Sequence, residues 1–294
     1  MKFPLKDRII NHVLLIPTVF SVVLLIVMIG VLFSKSEQIL SLTPLTTLLF
    51  SSSWKPLAGS FGFFPFIMGT IWVTGIAMLL SIPISLLSAI YLSEYAHIRV
   101  RDLIQPAIDL LAGVPSVIYG LFGILLIVPL VKNHIAPFFG VTSSGYCVLA
   151  GGLVLAIMVF PILISLSFEV LRTVPLEMRE ASLGLGANRW ETIKYVVMRK
   201  AFPGVIATII LGFSRAFGET MAVLMVVGNV ARVPNSVFDP GYPLPALIAN
   251  NYGEMMSIPV YDSALMFAAL LLLVIVVIFN ILAKYSLHKL QVVS

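Results

Sequence analysis

The chain has 294 residues, 60% of them hydrophobic and only 11% Asp, Glu, Lys or Arg, against roughly 25% charged residues in a soluble domain. A formal charge of +5 does not point to nucleic acid, because the basic residues sit at the ends of apolar blocks, as membrane topology demands. The single Cys147 excludes an intramolecular disulfide and a cysteine-rich metal site.

The apolar blocks hold about twenty residues each, enough for a helix to cross a hydrocarbon core of roughly 30 Å. In chain order they are Val13–Phe33, Phe66–Tyr91, Ala107–Val131, Tyr146–Phe168, Phe202–Val230 and Val260–Ala283. The first follows a basic Met1–Arg8, in outline like a secretory signal. It is too long for a signal core and lacks a small-x-small cleavage site after it, so an uncleaved helix is expected. Ser34–Pro65 then forms an outer excursion with room for a short amphipathic helix.

Pro83, Pro115, Pro161, Gly212 and Gly218 interrupt the later blocks, which is tolerated where neighbouring helices or water satisfy the backbone. Thirteen of the 18 Lys and Arg residues fall on the side of the N-terminus and four on the other, with Arg215 inside a block. Both termini are therefore expected in the cytoplasm. The predicted fold is an all-α polytopic membrane protein of six helices. It divides into an N-terminal tail, first helix and excursion (1–65), a transmembrane core (66–283) with a cytoplasmic loop at 169–201, and a cytoplasmic tail (284–294).

The cytoplasmic loop predicts two short helices. Pro175 can open the first, with Glu177 and Glu180 favourably placed against the helix dipole. Gly184 and Gly186 break it. An amphipathic helix then starts near Arg189, with Trp190, Ile193 and Val197 on one side, and is expected to end at Pro203-Gly204. The residues alone fit either a basic hairpin on anionic lipid or a docking knob for another protein.

The fifth block contains a charged pair, Arg215 and Glu219, four residues apart and so on one face of a continuous helix, about 6 Å from each other. Charges at this depth are costly, about 2.5–3.5 kcal/mol each on insertion scales, and usually face a bundle interior, a partner or an aqueous path. An Arg fork suits an oxyanion, and Glu219 could fix its rotamer. A structural ion pair explains the same residues. Ser116 and Tyr119, beside the Pro115 break, suit a pathway lining or helix packing alike. The four histidines lie near block ends without ligand spacing, so no metal is assigned.

Three stretches carry a family resemblance. Glu180-Ala181-Ser182, Gly186-Ala187 and Ile193 with a Pro-containing exit resemble the EAA loop of ABC-transporter permeases, with Ser182 at the usual third Ala and Met198-Arg199 at the usual Leu-Pro. Ser214-Arg215-Ala216-Phe217-Gly218-Glu219-Thr220-Met221-Ala222-Val223 resembles the fifth helix of PstC-type phosphate permeases, as do Gly113–Gly123 and Phe238–Tyr242 other parts of that family.

The resemblance implies a type I ABC importer permease fold and a transport subunit without enzymatic activity of its own. It implies a substrate pathway along Arg215, Glu219, Ser116, Tyr119 and Thr220. Coupling to an ATPase would run through Glu180, Ala181, Ser182, Gly186, Ala187 and Ile193. The implied partners are a sister permease, two nucleotide-binding subunits that hold ATP and Mg, and an extracytoplasmic phosphate-binding protein, all in a bacterial inner membrane. The chain has no phosphate-binding loop and no cofactor of its own is expected. Sulfate or molybdate import, and an ATP-independent transporter, are the competing readings.

Overall fold

A computed structural model describes residues 5–253 and 258–293, without the side chains of 5–12, 282, 283 and 285–293. Among the described residues, six helices are long and apolar enough to cross a membrane: Val13–Leu42, Phe64–Tyr95, Ser116–Phe138, Val148–Arg172, Arg189–Phe217 and Pro259–Ile281. The fourth is the most enclosed, with 61% of its most apolar stretch buried, against none for the first. The bundle is thus built around the fourth span, while the first leaves its most apolar stretch exposed on the surface of this chain.

Small residues set the close approaches. A Cβ on Gly152 would meet Ile76 Cγ2 at 2.5 Å, and one on Gly212 would meet Leu163 Cδ2 at 2.5 Å. The second and fifth spans therefore lie tight against the fourth, as expected where packing rather than water drives helix association. At the outer end Trp54 sits edge-on to Phe61, Phe63 and Phe66. This aromatic cluster closes the excursion, where Trp54–Lys55 pairs antiparallel with Ser60–Phe61. The first helix continues beyond Phe33 to Leu42, and its outer end is fastened by the Ile39 amide, which donates to Ser263 Oγ of the sixth span at 3.0 Å.

Three boundaries differ from the sequence reading. The third block is not one helix from Ala107. An interfacial helix, Ile98–Ala112, ends first, and a new one begins at Ser116. Pro115 has no N–H, so Leu111 loses its helical donor. The Tyr119 hydroxyl takes that place, donating to the Leu111 carbonyl at 2.8 Å.

The fifth block is also broken. Its helix stops at Phe217, capped by Gly218, and is followed by a four-residue turn of helix, Met221–Leu224. Beyond it, Gly228 (φ +94°) and Asn229 (φ +52°) take left-handed backbone. Gly241 donates to Val227 O at 3.0 Å, which closes the outer loop onto this segment. A Cβ at Gly228 would meet Pro240 Cβ at 2.7 Å, so both the φ and the space require glycine there.

Pro203-Gly204 does not end the amphipathic helix as expected. Arg189–Phe217 runs through it as one helix, with a π-helical turn at Ile193–Val197 and Pro203 inside. A bilayer-spanning helix accommodates proline where local π adjustment and neighbours satisfy the freed carbonyl.

Candidate functional site

Two regions hold the residues singled out in the sequence. The first is the pair of breaks. Gly120, one turn beyond Ser116, leaves no room for a side chain: a Cβ would meet Met225 Sδ at 2.5 Å and Ala222 Cα at 3.1 Å. The segments that follow the Pro115 and Gly218 breaks therefore lie side by side. Ser116 is half-buried at the start of its helix, and Tyr119 is buried with its hydroxyl committed to Leu111.

Arg215 lies in the last turn before the Gly218 break, exposed on the surface of the isolated chain. The expected Arg215–Glu219 pair is not formed. Among the described residues the ion pairs within 4 Å are Arg179–Glu94 and Arg232–Asp239. The break explains this, because the i,i+4 relation holds only along unbroken helix. Glu219 is half-buried and turns instead to the new helical turn, where its Oε1 accepts from the Ala222 amide at 3.2 Å. Thr220, half-buried, donates to Gly218 O at 3.2 Å. Arg215 is thus a cation in an apolar span with its fork of donors uncommitted to any carboxylate among the described residues.

The second region is the knob between the fourth and fifth spans, expected in the cytoplasm. Leu176–Gly184 forms its first helix after Pro175, and Gly186 turns the chain with φ +90°. Asn188 opens the next helix with a reciprocal cap: its Oδ1 accepts from the Glu191 amide at 2.9 Å, and Glu191 Oε2 accepts from the Asn188 amide at 2.8 Å. Ser182, where the family pattern has alanine, bonds Thr192 Oγ1 at 2.9 Å and ties the two helices together. Ile193 and Val197 are buried against Phe168 and Leu171, which roots the knob in the bundle. Glu180, Ala181 and Gly186 remain exposed, Ala187 is half-buried, and Leu185 and Trp190 are 90% and 54% exposed. Such an apolar surface rimmed by charge has the character of a protein contact.

The sequence reading missed one element of this region. Glu94, in the π-helical turn Tyr91–Tyr95 that ends the second span, pairs with Arg179 of the knob at 2.8 Å. A lone carboxylate at a span end carries no spacing signal toward a partner 85 residues away. Elsewhere, His97 accepts from the Arg99 amide as a helix cap, while His12 and His288 lie outside the described side chains. Cys147 is fully buried at the start of the fourth span.

Comparison with known proteins agrees with this architecture. Residues 81–292 match the family described as binding-protein-dependent transport system inner membrane component. The phosphate transport system permease protein PstC of Haemophilus influenzae is 36% identical over 257 residues, covering 83% of this chain and 81% of that protein. PstC of Mesorhizobium japonicum is 33% identical over 308 residues, 99% and 92% of the two chains. The probable ABC transporter permease protein YqgH of Bacillus subtilis is 36% identical, over 81% of this chain and 76% of that one.

Among solved structures, a chain of a bacterial alginate ABC transporter, in complex with an alginate pentasaccharide-bound periplasmic protein, superposes with a TM-score of 0.65. Its identity is 16%, over 95% of this chain and 94% of that one. A chain of the MetNI methionine ABC transporter in an inward-facing conformation gives a TM-score of 0.57 at 14% identity, over 81% and 99%. These likenesses show the type I importer permease fold. With six spans, two helices broken side by side and a rooted cytoplasmic knob, the chain belongs to the family of binding-protein-dependent transport system inner membrane components.

Proposed function

We propose that this polytopic inner-membrane subunit takes up inorganic phosphate as one permease of an ATP-driven, binding-protein-dependent importer. The observation that carries the substrate is the similarity, across most of the chain, to several permeases named for phosphate transport. In this reading the core (66–283) forms half of the pathway with a sister permease. An extracytoplasmic binding protein delivers the anion to the outer loops of the core and of the N-terminal part (1–65), while the tail (284–294) stays cytoplasmic.

Arg215 attracts the anion as it passes the two breaks, with the half-buried Ser116 and Thr220 at the starts of the segments that follow them. Its uncommitted guanidinium supports this role, since a planar fork matches an oxyanion in two-point fashion. Tyr119 holds the break in shape, and Glu219 shapes the turn after Arg215. The knob seats Glu180, Ala181 and Gly186 in an ATPase subunit, with Ser182, Ala187 and Ile193 keeping its form. The ATPase pair binds ATP and Mg.

The test is ATP-dependent uptake of radiolabelled phosphate into vesicles holding this chain, its sister permease, the ATPase and the binding protein, with sulfate as competitor. Uptake that requires ATP and ignores sulfate supports the proposal. Sulfate or molybdate uptake without phosphate uptake replaces the substrate, and flux without the ATPase overturns the machine.

A further inference from the structure

We propose that the Glu94–Arg179 ion pair is the positioning contact that carries movement of the cytoplasmic knob into the second span. The inference rests on the reading of the knob as the ATPase dock. The fourth and fifth spans need no such contact. The knob's first helix follows the fourth span after a short turn, and its second is the start of the fifth. The second span has no covalent link of this kind, yet both limbs of the knob hold its final turn.

Arg179 Nη2 donates to Glu94 Oε1 at 2.8 Å and its Nε to Oε2 at 3.3 Å, a two-point grip. The same guanidinium donates to Leu171 O at 3.0 Å and to Val174 O, so one side chain joins the second span, the end of the fourth and the base of the knob. From the other limb, Arg189 donates to the Glu94 carbonyl and lies over the Tyr95 ring at 4.9 Å. The Glu94 and Arg179 side chains are only 10% and 16% exposed.

Apolar packing between Leu92 and Ile193 shares this junction, but it is non-directional and lets surfaces slide. A buried two-point ion pair fixes register. A pair of this kind adds little net stability over an apolar replacement, which makes force transmission the better account of its presence here.

The test uses the full complex in proteoliposomes, with inorganic phosphate uptake and ATP hydrolysis measured in the same vesicles. Glu94→Gln keeps the shape and removes the charge. The expected result is an assembled complex that still hydrolyses ATP but moves about tenfold less phosphate per ATP, within the roughly 5–150-fold range of ordinary coupling energies. Glu94→Asp, with the charge one methylene short, should fall between the two and is read in place of the amide if that variant does not assemble.

A second measurement is independent of the transported anion. Spin labels at Leu87→Cys and Glu177→Cys should keep one separation with and without ATP, and lose that constancy in Glu94→Gln. An unchanged ratio, hydrolysis and uptake falling in parallel, or a label separation indifferent to Glu94 overturns the proposal. ATP-independent uptake by the unsubstituted complex overturns the importer reading instead.

Discussion

At the scale of single residues, Arg215 and Glu219 have separable tasks. Glu219 caps a backbone amide, a role an amide oxygen fills equally well, so Glu219→Gln is expected to leave uptake within about twofold of the parent. Arg215→Ala removes a charge-assisted contact of about 1.5–3 kcal/mol, which corresponds to roughly 10- to 150-fold in anion uptake. Arg215→Lys keeps the charge without the fork and should recover only part of that loss. Measuring uptake for all three against the amount of assembled complex checks the assignment. Equal losses in Glu219→Gln and Arg215→Ala would restore the ion pair that the sequence suggested. The charges were legible in the sequence as an anomaly in an apolar block. Their independence was not, because four-residue spacing implies one face only while the helix is intact.

At the scale of elements, the two breaks are held by different means. The third helix is restarted by a tyrosine hydroxyl that replaces the donor missing at Pro115. Tyr119→Phe leaves the Leu111 carbonyl with the Val114 amide at 3.2 Å as its remaining partner, at a cost of about 0.5–1.5 kcal/mol. It should lower the melting temperature of the purified complex while leaving the apparent affinity for phosphate unchanged; a change in affinity alone would place Tyr119 in the pathway. The side-by-side packing of the broken segments depends on Gly120 in turn. Gly120→Ala drives a methyl toward Ala222 Cα and Met225 Sδ, and overpacking of this kind costs typically about 1–3 kcal/mol. Gly75→Ala is the control, since nothing lies within 4 Å of a Cβ there. Thermal unfolding should separate the two. In the sequence, glycine and proline mark that helices are interrupted, but which proline breaks a helix is not written locally. Pro203 lies within a continuous helix, whereas the helix before Pro115 ends at Ala112 and a new one begins at Ser116.

At the scale of the whole molecule, the surfaces that this chain's own fold leaves open include the exposed first span and the apolar tip of the knob. Leu185, 90% exposed, makes no contribution to the core. Leu185→Asp is therefore expected to leave this chain folded in the membrane while abolishing co-purification of the ATPase; retention of the ATPase would move the dock elsewhere. Six spans and the helix-turn-helix of the knob followed from the sequence itself, and the sequence places both termini in the cytoplasm as an expectation. Hydrocarbon admits only long apolar helices, topology follows the count of Lys and Arg in short loops, and a Gly turn between amphipathic segments is local chemistry. Tertiary structure decided the rest. It broke the third and fifth helices, sent Glu219 to a backbone amide, and joined Glu94 to Arg179 across 85 residues. The Glu94–Arg179 contact joins segments remote in the chain, whereas the Glu219 contact is three residues long and exists because the helix is broken; in both, polar groups find partners where the fold brings them.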